Sequence, residues 1–148
     1  MKTIFDKQTR DELIARARTL NIASKAQWGK MSVDQMIKHC ILADQMYQGE
    51  KVYKRMFLGY LLGQPILKAM LKDEEPMRRN ARTSPDFIVT ETGANVEIEK
   101  AKWLKVLEQY ADYNKPEFTH WFFGKMTKEQ VGQLAYKHVD HHLRQFNS

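Results

Sequence analysis

Three features of this sequence predict an all-α fold, a four-helix bundle with a long crossover connection between helices 2 and 3. Four segments carry apolar residues at one-face helical spacing. Three of those segments open on a Ser/Thr-x-x-Glu/Gln capping box, which satisfies the free N–H groups of a first helical turn. The 7 Gly and 4 Pro are few, and all but Gly132 fall between the periodic segments. A length of 148 residues suits a single domain, 1–148, around one core.

The first helix is expected to follow Thr9, boxed with Glu12, and carries Leu13, Ile14, Ala17 and Leu20 on one face. The second starts at Ser32, boxed with Gln35. Its stripe is Val33, Met36, Ile37, Cys40, Ala43 and Tyr47. The third is predicted over 95–113, with Val96, Trp103, Leu107, Tyr110 and Ala111 on one side and Pro116 just beyond its end. The fourth opens at Thr127, boxed with Gln130, and runs nearly to the C-terminus.

Residues 50–94 form the crossover, long enough for helices 2 and 3 to run parallel. Its first half reads as one or two short helices split at Gly63-Gln64-Pro65. Its second half reads as loop with a β-prone run at Phe87-Ile88-Val89. One motif recurs: Gly29-Lys30-Met31-Ser32-x-x-Gln35 returns as Gly124-Lys125-Met126-Thr127-x-x-Gln130. Each copy follows an aromatic residue and precedes a histidine-bearing helix. Either the same helix-start device is used twice, or the two helices are presented to one central site.

Composition excludes several classes. A hydrophobic fraction of 43% and a charged fraction of 28% argue against disorder. The net charge of +6 is dispersed, Lys and Arg alternating with Asp and Glu. The one local basic excess is Met77-Arg78-Arg79-Asn80-Ala81-Arg82, in a predicted loop, so nucleic acid is disfavoured as a partner. The single cysteine, Cys40, excludes an internal disulfide framework and fits a reducing cytoplasm. The N-terminus lacks the apolar core of a signal peptide. The greasy stretch 56–71 is too interrupted for a transmembrane segment. With Lys51, Lys54, Arg55 and Lys72 beside it, that stretch either lies on a membrane surface or packs over the bundle.

The chemistry concentrates in His138-Val139-Asp140-His141-His142. A helix turns about 100° per residue, which places His138 and His142 in the middle of the stripe made by Val131, Leu134, Ala135, Val139 and Phe146. Gln133, Lys137, Asp140 and Arg144 take the opposite, water-facing side. Two imidazoles on an apolar face need partners, because an unsatisfied buried polar group costs about 1–3 kcal/mol. At i and i+4 they can share one ion. Open Zn-type sites use three protein ligands, and His39 on helix 2, which flanks the main stripe and taken alone reads as structural, is the candidate third. His141 lies at the stripe's edge. His120, before Trp121-Phe122-Phe123, either lines the site mouth or caps a turn. Cys40 points about 100° away from His39 and reads as a small core residue.

The run His138-x-x-His141-His142-x-x-Gln145, with Trp28-Gly29-Lys30-Met31-Ser32-x-x-Gln35-Met36-x-x-His39-Cys40 and Phe122-Phe123-Gly124-Lys125-Met126, resembles a branch of the DinB-like (YfiT-like) superfamily. The resemblance covers the N-terminal third and the last thirty or so residues, and no motif in about 49–92 matches. It implies a four-helix bundle, a divalent metal on His39, His138 and His142 with His141 outside, and often a homodimer. It also implies a small-molecule substrate, since relatives include metal-dependent S-transferases using low-molecular-weight thiols and a thiol-dependent isomerase.

The expectation is therefore a metal-dependent enzyme, of thiol-transfer or hydrolysis type, with an open water position on the ion. Zn is the default because imidazole suits it, with Ni, Mn and Fe as alternatives. A pocket lined by Trp28, Phe122 and Phe123 is expected, and no general base can be named. The competing expectation is a non-catalytic interaction module whose metal or histidine cluster is structural.

Overall fold

The computed structural model describes residues 1–81 and 83–148, so Arg82 of the basic run lies outside the described residues. Among them are five α-helices: α1 (Lys7–Thr19), α2 (Val33–Tyr47), α3 (Phe57–Met70), α4 (Val96–Glu108) and α5 (Lys128–Gln145). An antiparallel hairpin joins β1 (Glu117–His120) to β2 (Gly124–Thr127). The expected all-α four-helix bundle is thus corrected: the chain mixes helix and sheet, and it has a fifth helix.

The core lies between α1, α2, α4 and α5, where α2 and α1 each pack against both α4 and α5. Near the start of α2 the Asp34 carboxylate accepts from Ala94 N at 3.1 Å, just before α4. Just past the end of α2, Gln48 donates to Val106 O at 2.7 Å. Helices α2 and α4 therefore run side by side in the same direction. Met36, Ile37, Cys40, Trp103, Leu107 and Leu134 are buried in a single apolar cluster. Asp44 sits inside it and accepts from Trp103 Nε1 and Tyr110 OH, each at 2.9 Å. Burial lifts the Asp44 carboxyl to about 7, against the pull of those two donors.

The helix starts follow local chemistry. Gly29 and Gly124 both take the left-handed region, at φ 80° and 81°. In each copy of the repeated motif the glutamine side chain accepts from the cap residue's N–H: Gln35 from Ser32 at 3.0 Å, Gln130 from Thr127 at 2.9 Å. The device used twice is a glycine that turns the chain and a box that closes the first turn. Helix α1 begins earlier than its sequence implied. Asp6 caps it by accepting from Thr9 N at 2.8 Å, and Thr9 faces inward. A carboxylate is the stronger cap and also suits the helix dipole.

Three further differences have physical causes. Residues expected to break at Gly63-Gln64-Pro65 form one continuous α3. Gly59 and Gly63 lie on the hairpin tip, where an added Cβ would come 2.3 Å from Phe122 O. Gln64 Nε2 donates to Phe123 O and Lys125 O at 2.7 and 2.8 Å. These tertiary contacts override a local propensity penalty. The β-prone run at 87–89 instead begins inside a 3-10 turn, Pro85–Phe87, capped by Ser84. Lys137 and Asp140, read as water-facing, are buried. The Lys137 ammonium donates to Met70 O and Glu75 O at 2.7 and 2.9 Å, and Asp140 lies between Arg16 and Arg144, 2.7 Å from each.

Candidate metal centre

Helices α2 and α5 pack together and bring His39, His138 and His142 to one point, where one ring nitrogen of each lies within 4.8 Å of the others. Of the sequence-predicted residues, these three converge. His39, placed by its wheel position only at the flank of its stripe, is buried.

The proton positions follow from the partners. His39 Nδ1 lies 2.8 Å from Phe87 O, which only accepts, so Nδ1 carries the hydrogen and Nε2 the lone pair. Gln145 Nε2 donates to Trp28 O at 2.8 Å, which fixes that carboxamide and turns Oε1 toward His142. His142 Nδ1 then donates to Gln145 Oε1 at 2.8 Å, and its Nε2 is also a bare lone pair. Metal-binding histidines nearly always donate their second N–H in this manner, which orients the ring.

His138 completes the group. Its Nε2 is 3.2 Å from His39 Nε2, and its buried Nδ1 has no partner among the described residues. Tetrahedral zinc, with bonds of about 2.0–2.1 Å, sets neighbouring ligand nitrogens about 3.3 Å apart, so this pair has the spacing of a ligand edge. Three clustered imidazoles of this kind can hold a metal ion.

Burial keeps all three neutral, as ligation requires. It lowers His39, against the bond to Phe87. It drives His138 well down, aided by His142 and His39, and brings His142 to about 3.

The site opens into a cavity of about 290 Å³ lined by Trp28, Lys30, Met31, Phe87, Asn80 and the three histidines, among others. Trp28 lies where a pocket residue was expected, but Phe122 and Phe123 do not line it. Phe123 stacks on His120, at 4.6 Å between ring centroids, and Phe122 supports α3. No acidic side chain lines the cavity among the described residues, whereas Lys30 does. The Arg79 guanidinium lies 4.3 Å from the Trp28 ring centroid.

The remaining candidates separate cleanly. His120 ends β1, and its Nδ1 accepts from Phe122 N and Phe123 N at 3.0 and 3.2 Å, so it caps the hairpin turn. Burial, with the Arg55 charge nearby, brings it to about 3. His141 lies beside His142 at 5.1 Å between centroids but outside the converging group. Cys40 is a buried thiol over Met36 Sδ at 3.7 Å. Gln145 holds the His142 ring, and its i, i+3 spacing from His142 is the signal that the sequence offers for that contact. The carbonyls of Phe87 and Trp28 carry no side-chain signature at all.

Fold and site together define a helical protein with a short hairpin and a three-histidine cluster at the floor of a cavity. The chain matches, over residues 4–148, the family described as "Protein of unknown function (DUF1569)", and it belongs to that family. No curated protein and no solved structure matches it.

Proposed function

We propose that this protein is a metal-dependent enzyme that holds a divalent ion on His39, His138 and His142 and acts on a small anionic molecule, with a low-molecular-weight thiol as the leading candidate. The observation that carries the reading is the pair of fixed Nδ1–H donors. They leave the Nε2 atoms of His39 and His142 as bare lone pairs in a group whose ring nitrogens lie within 4.8 Å of one another, His138 included, an arrangement that a cation relieves.

Zinc is the default ion because neutral imidazole suits it, with Ni, Mn and Fe as alternatives. A divalent ion there supplies Lewis-acid chemistry, lowering the pKa of a protic ligand on the cavity side. The chain's own residues do the rest. Phe87 O and Gln145 hold the rings in register, and Trp28 and Phe87 wall the cavity. Lys30, and Arg79 at the Trp28 ring, complement an anionic group on the substrate. Kinship with the DinB-like superfamily, on the C-terminal histidine motif, is part of the same proposal and supports thiol transfer over hydrolysis. A closed structural site needs four protein ligands, and three converge among the described residues.

Cobalt(II) tests the reading without an assay for an unknown substrate. Metal-free protein titrated with cobalt should develop the visible bands of low-coordinate Co(II), and added thiol should give a near-ultraviolet thiolate-to-cobalt band. A spectrum indifferent to thiol would rule out the thiol candidate. In Gln145→Leu, where the His142 ring loses its acceptor, metal affinity should fall about 10–100-fold. Unchanged affinity would remove Gln145 from the site.

A further inference from the structure

Away from the cavity, α3 has an outer face with no counterpart in the fold. Its inner side is Gly59, Gly63 and Leu67, one turn apart and all buried against the rest of the chain. The helix is clamped there, through Met56 N to Trp121 O at 3.0 Å, the Gln64 carboxamide, and Arg55, whose Nη1 donates to His120 O and Phe122 O at 2.8 and 3.2 Å. Facing out are Phe57, Leu58, Tyr60, Leu61, Leu62 and Ile66, with Phe57 81% and Leu61 66% exposed. A continuous apolar surface of this kind marks a contact with a partner or a membrane.

Charge selects between the occupants. From residue 51 to 72 the sequence holds Lys51, Lys54, Arg55, Lys68 and Lys72 and no acidic residue. Arg55 is engaged with the hairpin, and Lys72 pairs with Asp73 at 3.4 Å. Lys51, Lys54 and Lys68 are exposed and form no ion pair among the described residues. A second copy seated on this face would set like charge on like charge. An anionic bilayer surface meets both properties, since apolar side chains enter the headgroup boundary and ammonium groups reach the phosphates. No helix among the described residues is long and apolar enough to cross a membrane, so the contact is peripheral.

We propose that the outer face of α3, with Lys68 on the helix and Lys51 and Lys54 just ahead of it in the chain, docks this protein on anionic lipid. The full chain should sediment with vesicles of phosphatidylcholine containing about one quarter phosphatidylglycerol, and much less with phosphatidylcholine alone. Changing Lys51, Lys54 and Lys68 together to Gln should weaken binding roughly a hundredfold. The double variant Phe57→Glu, Leu61→Glu should weaken it at least about tenfold, while Ile98→Glu, exposed on α4, should leave it unchanged. All these positions are exposed, and matching thermal melts would show the fold intact. Equal sedimentation with both vesicle types, or with neither, would overturn the proposal. So would full binding by the Phe57→Glu, Leu61→Glu variant, which would reduce the effect to net charge alone. A concentration-dependent dimer abolished by that same variant would instead assign the face to a second copy, and the lipid proposal would fail.

Discussion

His142→Ala protein, purified without an affinity tag, is expected to carry almost no metal, whereas the unaltered chain carries a single divalent ion. Zinc on the four ligands of a structural site contributes about 10–16 kcal/mol, so about 3 kcal/mol, or roughly a hundredfold in affinity, rests on each ligand. His142 is held by a chain of fixed contacts, from Trp28 O through the Gln145 carboxamide to Nδ1. Its loss removes an oriented donor that no neighbour replaces. His141, adjacent on α5, is the control: it lies outside the converging group, so His141→Ala should keep its ion. Elemental analysis reads both. A thermal shift gives a second reading, because an ion that binds only the native state raises Tm by an amount that grows with the logarithm of its concentration over Kd. Added zinc should raise Tm in the unaltered chain and in His141→Ala, and do little in His142→Ala. Equal metal content in His142→Ala and the unaltered chain would end the assignment.

The reason this site was partly legible is the helical period. A polar pair at i and i+4 inside an apolar stripe conflicts with burial unless something satisfies it, so His138 and His142 stood out from spacing alone. His39 did not, because a flanking position on α2 suits a lone core histidine equally well. What orients the rings was hidden. Phe87 O comes from a 3-10 turn in the crossover and Trp28 O from the loop before α2, and a backbone carbonyl leaves no trace in composition.

The differences between the expected and the observed fold come from non-local contacts. Gly63 and Pro65 argue against a helix, yet the glycines are what lets α3 lie on the hairpin. The hairpin itself has strands of only four residues. Its signal was the three-residue loop at 121–123 closed by Gly124 at positive φ. Lys137 and Asp140 read as solvent-facing because their partners, Met70 O, Glu75 O and Arg16, arrive from distant segments.

Acid should weaken the metal-free fold well above the range where carboxylates protonate. His142 and His120 both have native pKa values of about 3, lowered chiefly by burial. Once unfolded, each returns to about 6.5. Between those limits the unfolded chain binds protons that the native one refuses, so stability is full above pH ~6.5 and falls as the pH drops toward ~3. At pH ~5 the two histidines together cost about 4 kcal/mol, and the lowered His39 and His138 act in the same direction. Asp44 acts against them. Its native pKa is raised to about 7, so the folded state takes up a proton that the unfolded carboxylate releases. Stability gains about 2–3 kcal/mol from Asp44 between pH ~7.5 and ~5, less than the histidines lose. The net is a decline, measurable by urea melts in EDTA across that range. Asp44→Asn separates the contributions. Its oxygen can still accept from Trp103 while its amide donates to the Tyr110 hydroxyl, so the core persists and the opposing titration disappears. The decline should then steepen. Stability that stays level or rises from pH ~7 to ~5 in both proteins would mean that the histidines are not held neutral by burial, and the neutral-ligand picture of the centre would go with it.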